Sequence, residues 1–164
     1  GLHTSGIILE TEAYIGTEDL GCHARSGRTQ RNQSMWGPPG QVYIYFTYGM
    51  HWMLNLVTEE QGFPAAVLIR SLIPDEGIER MRERRGGKPD RILTDGPAKL
   101  CQALHIDGSL NEIDSTSGDA AIFVERISAV PDQNVLTGSR IGLNNVPEPW
   151  KSKPWRFYTA KREG

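Results

Sequence analysis

The run Val42-Tyr43-Ile44-Tyr45-Phe46-Thr47-Tyr48-Gly49-Met50-His51-Trp52-Met53-Leu54-Asn55-Leu56-Val57 contains two segments rich in aromatic and β-branched residues. They run from Val42 to Thr47 and from about His51 to Val57, with Tyr48 and Gly49 between them. Such segments suit a pleated, half-buried surface, and a glycine between them marks a reversal. The reading is an antiparallel hairpin with Tyr48 near its tip. Ala65 to Leu72 follows as a third apolar strand, carrying Arg70. Upstream, Gly6 to Gly16 alternates like a strand. Period two puts Glu10, Glu12 and Tyr14 on one face and Leu9, Thr11, Ala13 and Ile15 on the other. The second set is the more apolar and is expected to be the buried one.

Between these strands lies a polar segment, Thr17 to Pro39, closed by Gly37-Pro38-Pro39-Gly40. Loops longer than about 12–15 residues are usually functional or disordered. Downstream, Asp75 to Arg85 reads as a helix, acidic at its start, basic at its end and stopped by Gly86 and Gly87. Asp95 is placed to cap a second helix, with Pro97 in its first turn and Leu100 and Leu104 on its core face. Ala120 to Glu125 and Trp155 to Tyr158 are short strand candidates. The sum is an α+β class: one domain, a mostly antiparallel curved sheet resembling an open barrel, flanking helices and a protruding hairpin.

Composition narrows the function. The chain has 164 residues, 38% hydrophobic and 23% charged, which excludes disorder along its whole length. No apolar run approaches the roughly 18–20 residues of a transmembrane helix. Cys22 and Cys101 cannot form a disulfide framework, so a reduced, intracellular setting is expected. The net charge of −2 excludes a basic nucleic-acid binder of the usual composition. The distribution differs from the total: no Asp or Glu falls between Leu20 and Thr58, where Arg25, Arg28 and Arg31 lie. One face is therefore suited to a polyanion.

His3, His23, His51 and His105 lack metal-ligand spacing, so neither a metal nor a cofactor is expected. Glu10 and Glu12 stand two strand steps apart, about 6.6 Å of backbone. Two solvated carboxylates at a sheet edge would look the same, and so would the pair of an inverting glycosidase, whose carboxyls lie ~6.5–9.5 Å apart. The chain has 4 Phe, 4 Trp and 5 Tyr, and six of these crowd between positions 36 and 52. Phe46 and Trp52 are expected in the core. The tyrosines suit a base-stacking platform. Tyr48, at a turn tip, suits a wedge.

The strand Gly6-Ile7-Ile8-Leu9-Glu10-Thr11-Glu12-Ala13-Tyr14 resembles the alkyladenine (3-methyladenine) DNA glycosylase family, also called methylpurine-DNA glycosylases. The likeness continues in order through His23-Ala24-Arg25, Gly27-Arg28-Thr29, Arg31-Asn32, Tyr43-Ile44-Tyr45, Tyr48-Gly49-Met50 and Asn55. It then runs through Leu68-Ile69-Arg70, Gly96-Pro97, Lys99-Leu100, Arg140-Ile141-Gly142 and Arg156-Phe157-Tyr158. Glu112 to Asn134 is only weakly similar.

The resemblance implies a monofunctional base-excision-repair enzyme. It would flip alkylated or deaminated purines (3-methyladenine, 7-methylguanine, hypoxanthine, ethenoadenine) out of double-stranded DNA and hydrolyse the N-glycosidic bond. Glu12 is then the general base, Tyr14 and His23 hold the base against Tyr45, and Asn55 disfavours guanine. Ile141 and Gly142 lie near the flipped base. Tyr48 fills the vacated duplex, with Met50 beside it, and Arg25, Arg28, Arg70 and Lys99 lie along DNA. Glu10 is left without a catalytic duty. The expected unit is a monomeric glycosylase domain over 1–164, without the family's preceding helix and strand. A catalytically silent DNA-binding module and a hydrolase of soluble nucleosides are the competing readings. Glu12 argues against the module, and the arginines argue against a glycosidase of neutral glycans.

Overall fold

The hairpin forms where the aromatic and β-branched runs and the Tyr48-Gly49 break put it. β2 (Val42–Thr47) and β3 (His51–Val57) pair antiparallel from Val42↔Leu56 to Thr47↔His51. Tyr48 (φ 52°) and Gly49 (φ 67°) both take the left-handed region, as a type I′ turn requires. The Met50 N–H donates back to the Thr47 carbonyl at 3.2 Å. The structure is a computed structural model and describes residues 3–159, so both ends of the expected 1–164 domain lie outside the described residues.

β4 (Ala65–Pro74) joins the hairpin to β1 (Gly6–Ile15), and β6 (Arg156–Thr159) and β5 (Val135–Gly138) extend the far edge. The order is β2-β3-β4-β1-β6-β5, and every pairing is antiparallel. One face of β2–β4 packs Val42, Ile44, Leu54, Ile69 and Leu72 against Leu100 and Cys101 of α2 (Pro97–Leu104). The opposite face packs Tyr43, Val57 and Ala66 against Cys22, Ala24 and Met35. The polar segment Thr17 to Pro39 is therefore a lid with structure of its own. Short 3-10 turns at His23–Ser26 and Gln33–Trp36 are held by Asn32, whose amide donates to the His23 and Gly27 carbonyls, both at 3.0 Å. Cys22 and Cys101 are free and buried, and burial pushes their thiols up to about 11 and about 12.

Several expectations are corrected. In β1 it is Glu12 that is fully buried, while Ile15 is 38% exposed, because the lid and the C-terminal segment cover the carboxylate face. Phe46 is 41% exposed and leans on the half-buried Trp52 at 4.6 Å between ring centroids, so it is not core. α1 spans only Ile78–Arg84, since Gly77 sits at φ 71°. A Cβ there would meet the His3 carbonyl at 2.5 Å, so the left-handed, crowded site needs glycine. Asp95 does not cap α2. Gly96 holds that position, and Asp95 Oδ1 accepts from Lys99 Nζ at 2.9 Å. Ala120 to Glu125 is not a strand. The outer strand is β5, which carries the only regular structure between Asn134 and Arg156.

Candidate active site

Burying a carboxylate is costly unless its oxygens are matched by donors. Glu12, with 0% exposure, meets that condition. Its Oε2 accepts from the Tyr14 hydroxyl at 2.7 Å and its Oε1 from the Ile141 N–H at 2.6 Å. Arg70 Nε lies 3.4 Å from the same Oε1. Strand alternation supplies the first contact, β4 the third, and a segment 129 residues away in sequence the second. An ionised carboxylate has about four acceptor sites. One hydrogen bond on each oxygen leaves each an open acceptor site, with the Arg70 cation facing the one on Oε1. Burial and the adjacent Glu12 hold the Tyr14 phenol well above its usual range, so it stays protonated and remains a donor.

A cavity of about 360 Å³ is lined by three residues that touch this carboxylate, Tyr14, Arg70 and Ile141, while Glu12 itself lies behind them. The cavity brings together Tyr14, His23, Tyr45, Tyr48, Asn55, Arg70, Ile141 and Gly142, all singled out from the sequence. Their elements differ: β1, the lid, β2, the hairpin tip, β3, β4 and the segment before β6. His23 and Tyr45 meet edge to face at 4.5 Å, so no ring fits between them and they form one wall. His23 Nδ1 is 3.0 Å from the hydroxyl of the buried Tyr43, which gives that hydroxyl the partner a buried phenol needs. Desolvation and the nearby Arg31 and Arg25 hold the His23 imidazole below its usual 6.5, although its outer surface stays open. Burial and Glu12 push Tyr45 up to about 12, so it too is neutral. The buried Asn55 is fixed by donation from Nδ2 to the Tyr43 carbonyl at 3.1 Å.

The remaining residues spread around the rim. Tyr48 is 85% and Met50 67% exposed, which makes the hairpin tip an apolar prow. Arg25, Arg28 and Arg31 are all exposed, in a region without acids. Arg25 Nη1 donates to the Leu20 carbonyl and Arg31 Nη2 to that of Phe46, each at 2.9 Å. Arg25 and Arg31 also line a second hollow of about 410 Å³ that shares His23 and Gly142 with the first. Two expected DNA contacts are already engaged within the protein: Arg70 Nε donates to Glu10 at 3.0 Å, and Lys99 pairs with Asp95. Glu10 is not a solvated edge carboxylate. It is 21% exposed and shared by Arg70 and Arg156.

Sequence reasoning did not single out Asp19 and Arg140. Both are buried and ion-paired behind Tyr14, where the Arg140 guanidinium lies 4.6 Å from the ring centroid. The available signal was position, since Arg140 immediately precedes Ile141-Gly142.

Comparison with known proteins agrees in extent with this geometry. The family model described as methylpurine-DNA glycosylase (MPG) matches residues 1–163. A Chlorobaculum parvum protein named "Putative 3-methyladenine DNA glycosylase" is 46% identical over 161 residues, covering 98% of this chain and 74% of that protein. One of the same name from Carboxydothermus hydrogenoformans is 46% identical over 153 residues, covering 93% and 77%. A "Probable DNA-3-methyladenine glycosylase" from Encephalitozoon cuniculi is 42% identical over 167 residues, covering 99% and 78%.

Proposed function

The chain belongs to the methylpurine-DNA glycosylase family and is a DNA-repair glycosylase; from that premise we propose that it hydrolyses the N-glycosidic bond of alkylated or deaminated purines flipped from duplex DNA, with Glu12 as general base. The substrates are 3-methyladenine, 7-methylguanine, hypoxanthine and ethenoadenine. The observation that carries the reading is the buried, doubly hydrogen-bonded Glu12 carboxylate, whose partners Tyr14 and Ile141 line an aromatic cavity.

In the reaction, water's oxygen bonds to C1′ as the C1′–N9 bond breaks and its electron pair leaves with the purine. Water's proton passes to Glu12, at the acceptor site left on Oε2. Tyr14 on one side and the His23–Tyr45 wall on the other hold the base. Asn55 obstructs the guanine amino group, and Ile141 and Gly142 close the pocket above the sugar. Tyr48 and Met50 fill the gap in the duplex, which offsets part of the few kcal/mol that unstacking costs. Arg25 and Arg28 follow the phosphates, with Lys99 at the far rim, so binding should weaken as salt rises. Residues 1–164 act as one monomeric glycosylase unit.

The test is single-turnover base release from a duplex carrying one hypoxanthine or ethenoadenine, in wild type and Glu12→Gln. Release from the wild type that disappears in Glu12→Gln supports the reading. Equal release from both removes Glu12 from the role. Binding without release in a folded wild-type protein overturns the substrate assignment.

A further inference from the structure

We propose that Glu10 is a positioning residue for the reaction: it draws Arg70 off Glu12 and so preserves the basicity that Glu12 needs to take a proton from water. The inference rests on the reading of Glu12 as the base.

Three observations converge. First, Arg70 Nε is shared unequally, 3.0 Å from Glu10 Oε1 and 3.4 Å from Glu12 Oε1. Second, Glu10 is anchored from the other side, because Arg156 Nη1 donates to the same Oε1 at 3.2 Å. Third, the β1–β4 register is broken at this place. It runs Ile8↔Leu72, Glu10↔Ser71, Thr11↔Ile69, leaving Leu9 and Arg70 outside one-to-one pairing. Bulges of this kind re-aim side chains and are over-represented beside active sites. Here the irregularity belongs to the strand pair that carries Glu10 and Arg70.

The electrostatic consequence has a definite sign. A cation held against a carboxylate favours its ionised form and makes it a poorer base, and a second carboxylate nearby opposes this. The groups around Glu12 are the Tyr14 hydroxyl and Glu10 on its own strand, Arg70 on β4, Arg156 on β6, Tyr45 on β2 and the Ile141 N–H. Among these, Glu10 is the anion opposing two arginines. Neutralising it hands Arg70 to Glu12 and removes the opposing charge, and both changes act in the same direction.

The test is the pH dependence of single-turnover base release from a hypoxanthine duplex, for wild type, Glu10→Gln, Arg156→Gln and Glu12→Gln. Glu10→Gln should move the acid limb to lower pH by about one unit. Its plateau rate should fall about three- to tenfold, as expected for a weaker base, with duplex affinity unchanged. Arg156→Gln, which removes a cation, should move the limb to higher pH. This second variant keeps the test intact if Glu10→Gln does not fold. A lowered melting temperature with an unmoved pH profile in both variants would make Glu10 a structural brace between β4, β1 and β6 and overturn the proposal. Release that survives in Glu12→Gln would instead overturn the reading beneath it.

Discussion

Arg140 and Asp19 close a bidentate ion pair at 2.6 and 2.8 Å with neither side chain exposed, across 121 residues of sequence. The same guanidinium donates to the Ala13 carbonyl at 3.0 Å and the Trp150 carbonyl at 3.2 Å. It lies between the rings of Tyr14 and Trp155, 4.6 and 5.1 Å from their centroids. One residue later the Ile141 N–H reaches Glu12. The pair thus ties the lid and the C-terminal segment to β1 and fixes the back of the cavity.

Removing one partner of such a pair leaves an uncompensated buried charge. Asp19→Ala should lower the unfolding free energy by about 3–5 kcal/mol. Urea unfolding followed by Trp fluorescence measures it. A loss below about 1 kcal/mol would mean that solvent reaches Arg140.

Tyr48 sits at φ 52° with 85% of its surface exposed. A left-handed non-glycine residue costs roughly 1–2 kcal/mol. Tyr48→Gly should therefore raise the melting temperature slightly while weakening base flipping. Calorimetry reads the first effect, and the fluorescence of an ethenoadenine within a duplex reads the second. A variant that flips the base as well as wild type would remove Tyr48 from the wedge role.

Asn55 lines the cavity with its amide fixed by the Tyr43 carbonyl. Asn55→Ala should raise excision of guanine-type lesions about tenfold relative to hypoxanthine, equivalent to about 1.4 kcal/mol of lost discrimination. Competition between the two lesions in one reaction gives the ratio directly, and an unchanged ratio would refute the obstruction.

Partial desolvation, with Arg31 and Arg25 nearby, holds the His23 imidazole below its usual 6.5 although its outer surface stays open. The unfolded chain then binds the proton more readily than the folded one. The contribution to stability is full above pH 6.5 and is lost as pH falls from 6.5 through the folded value. An NMR titration should place the His23 midpoint below 6.5, and Arg31→Gln should raise it. A wild-type midpoint at or above 6.5 would contradict this.

The hairpin, β4 and α2 were legible because their signals are local. Aromatic and β-branched content and the Tyr48-Gly49 break fixed Val42–Thr47 and His51–Val57, and Pro97 fixed the start of α2. The start of α1 was misplaced because a run of charged residues conceals a Gly77 that the fold holds left-handed against His3. β5 escaped notice because Val135 to Gly138 is a short edge strand defined by its pairing with β6.

The residues beside the cavity were named in advance from an ordered set of short motifs, and the tertiary structure gathered eight of them around one hollow. What each side chain touches was a different matter. Glu10 looked like a spare carboxylate until Arg70 and Arg156, 60 and 146 residues away, converged on it. Arg70 and Lys99 looked free until their acidic partners appeared. Backbone conformation answers to neighbours a few residues away, and those are written in the sequence. Burial, ion pairing and proton affinity answer to whatever the fold brings within a few ångströms, and only the folded chain determines that.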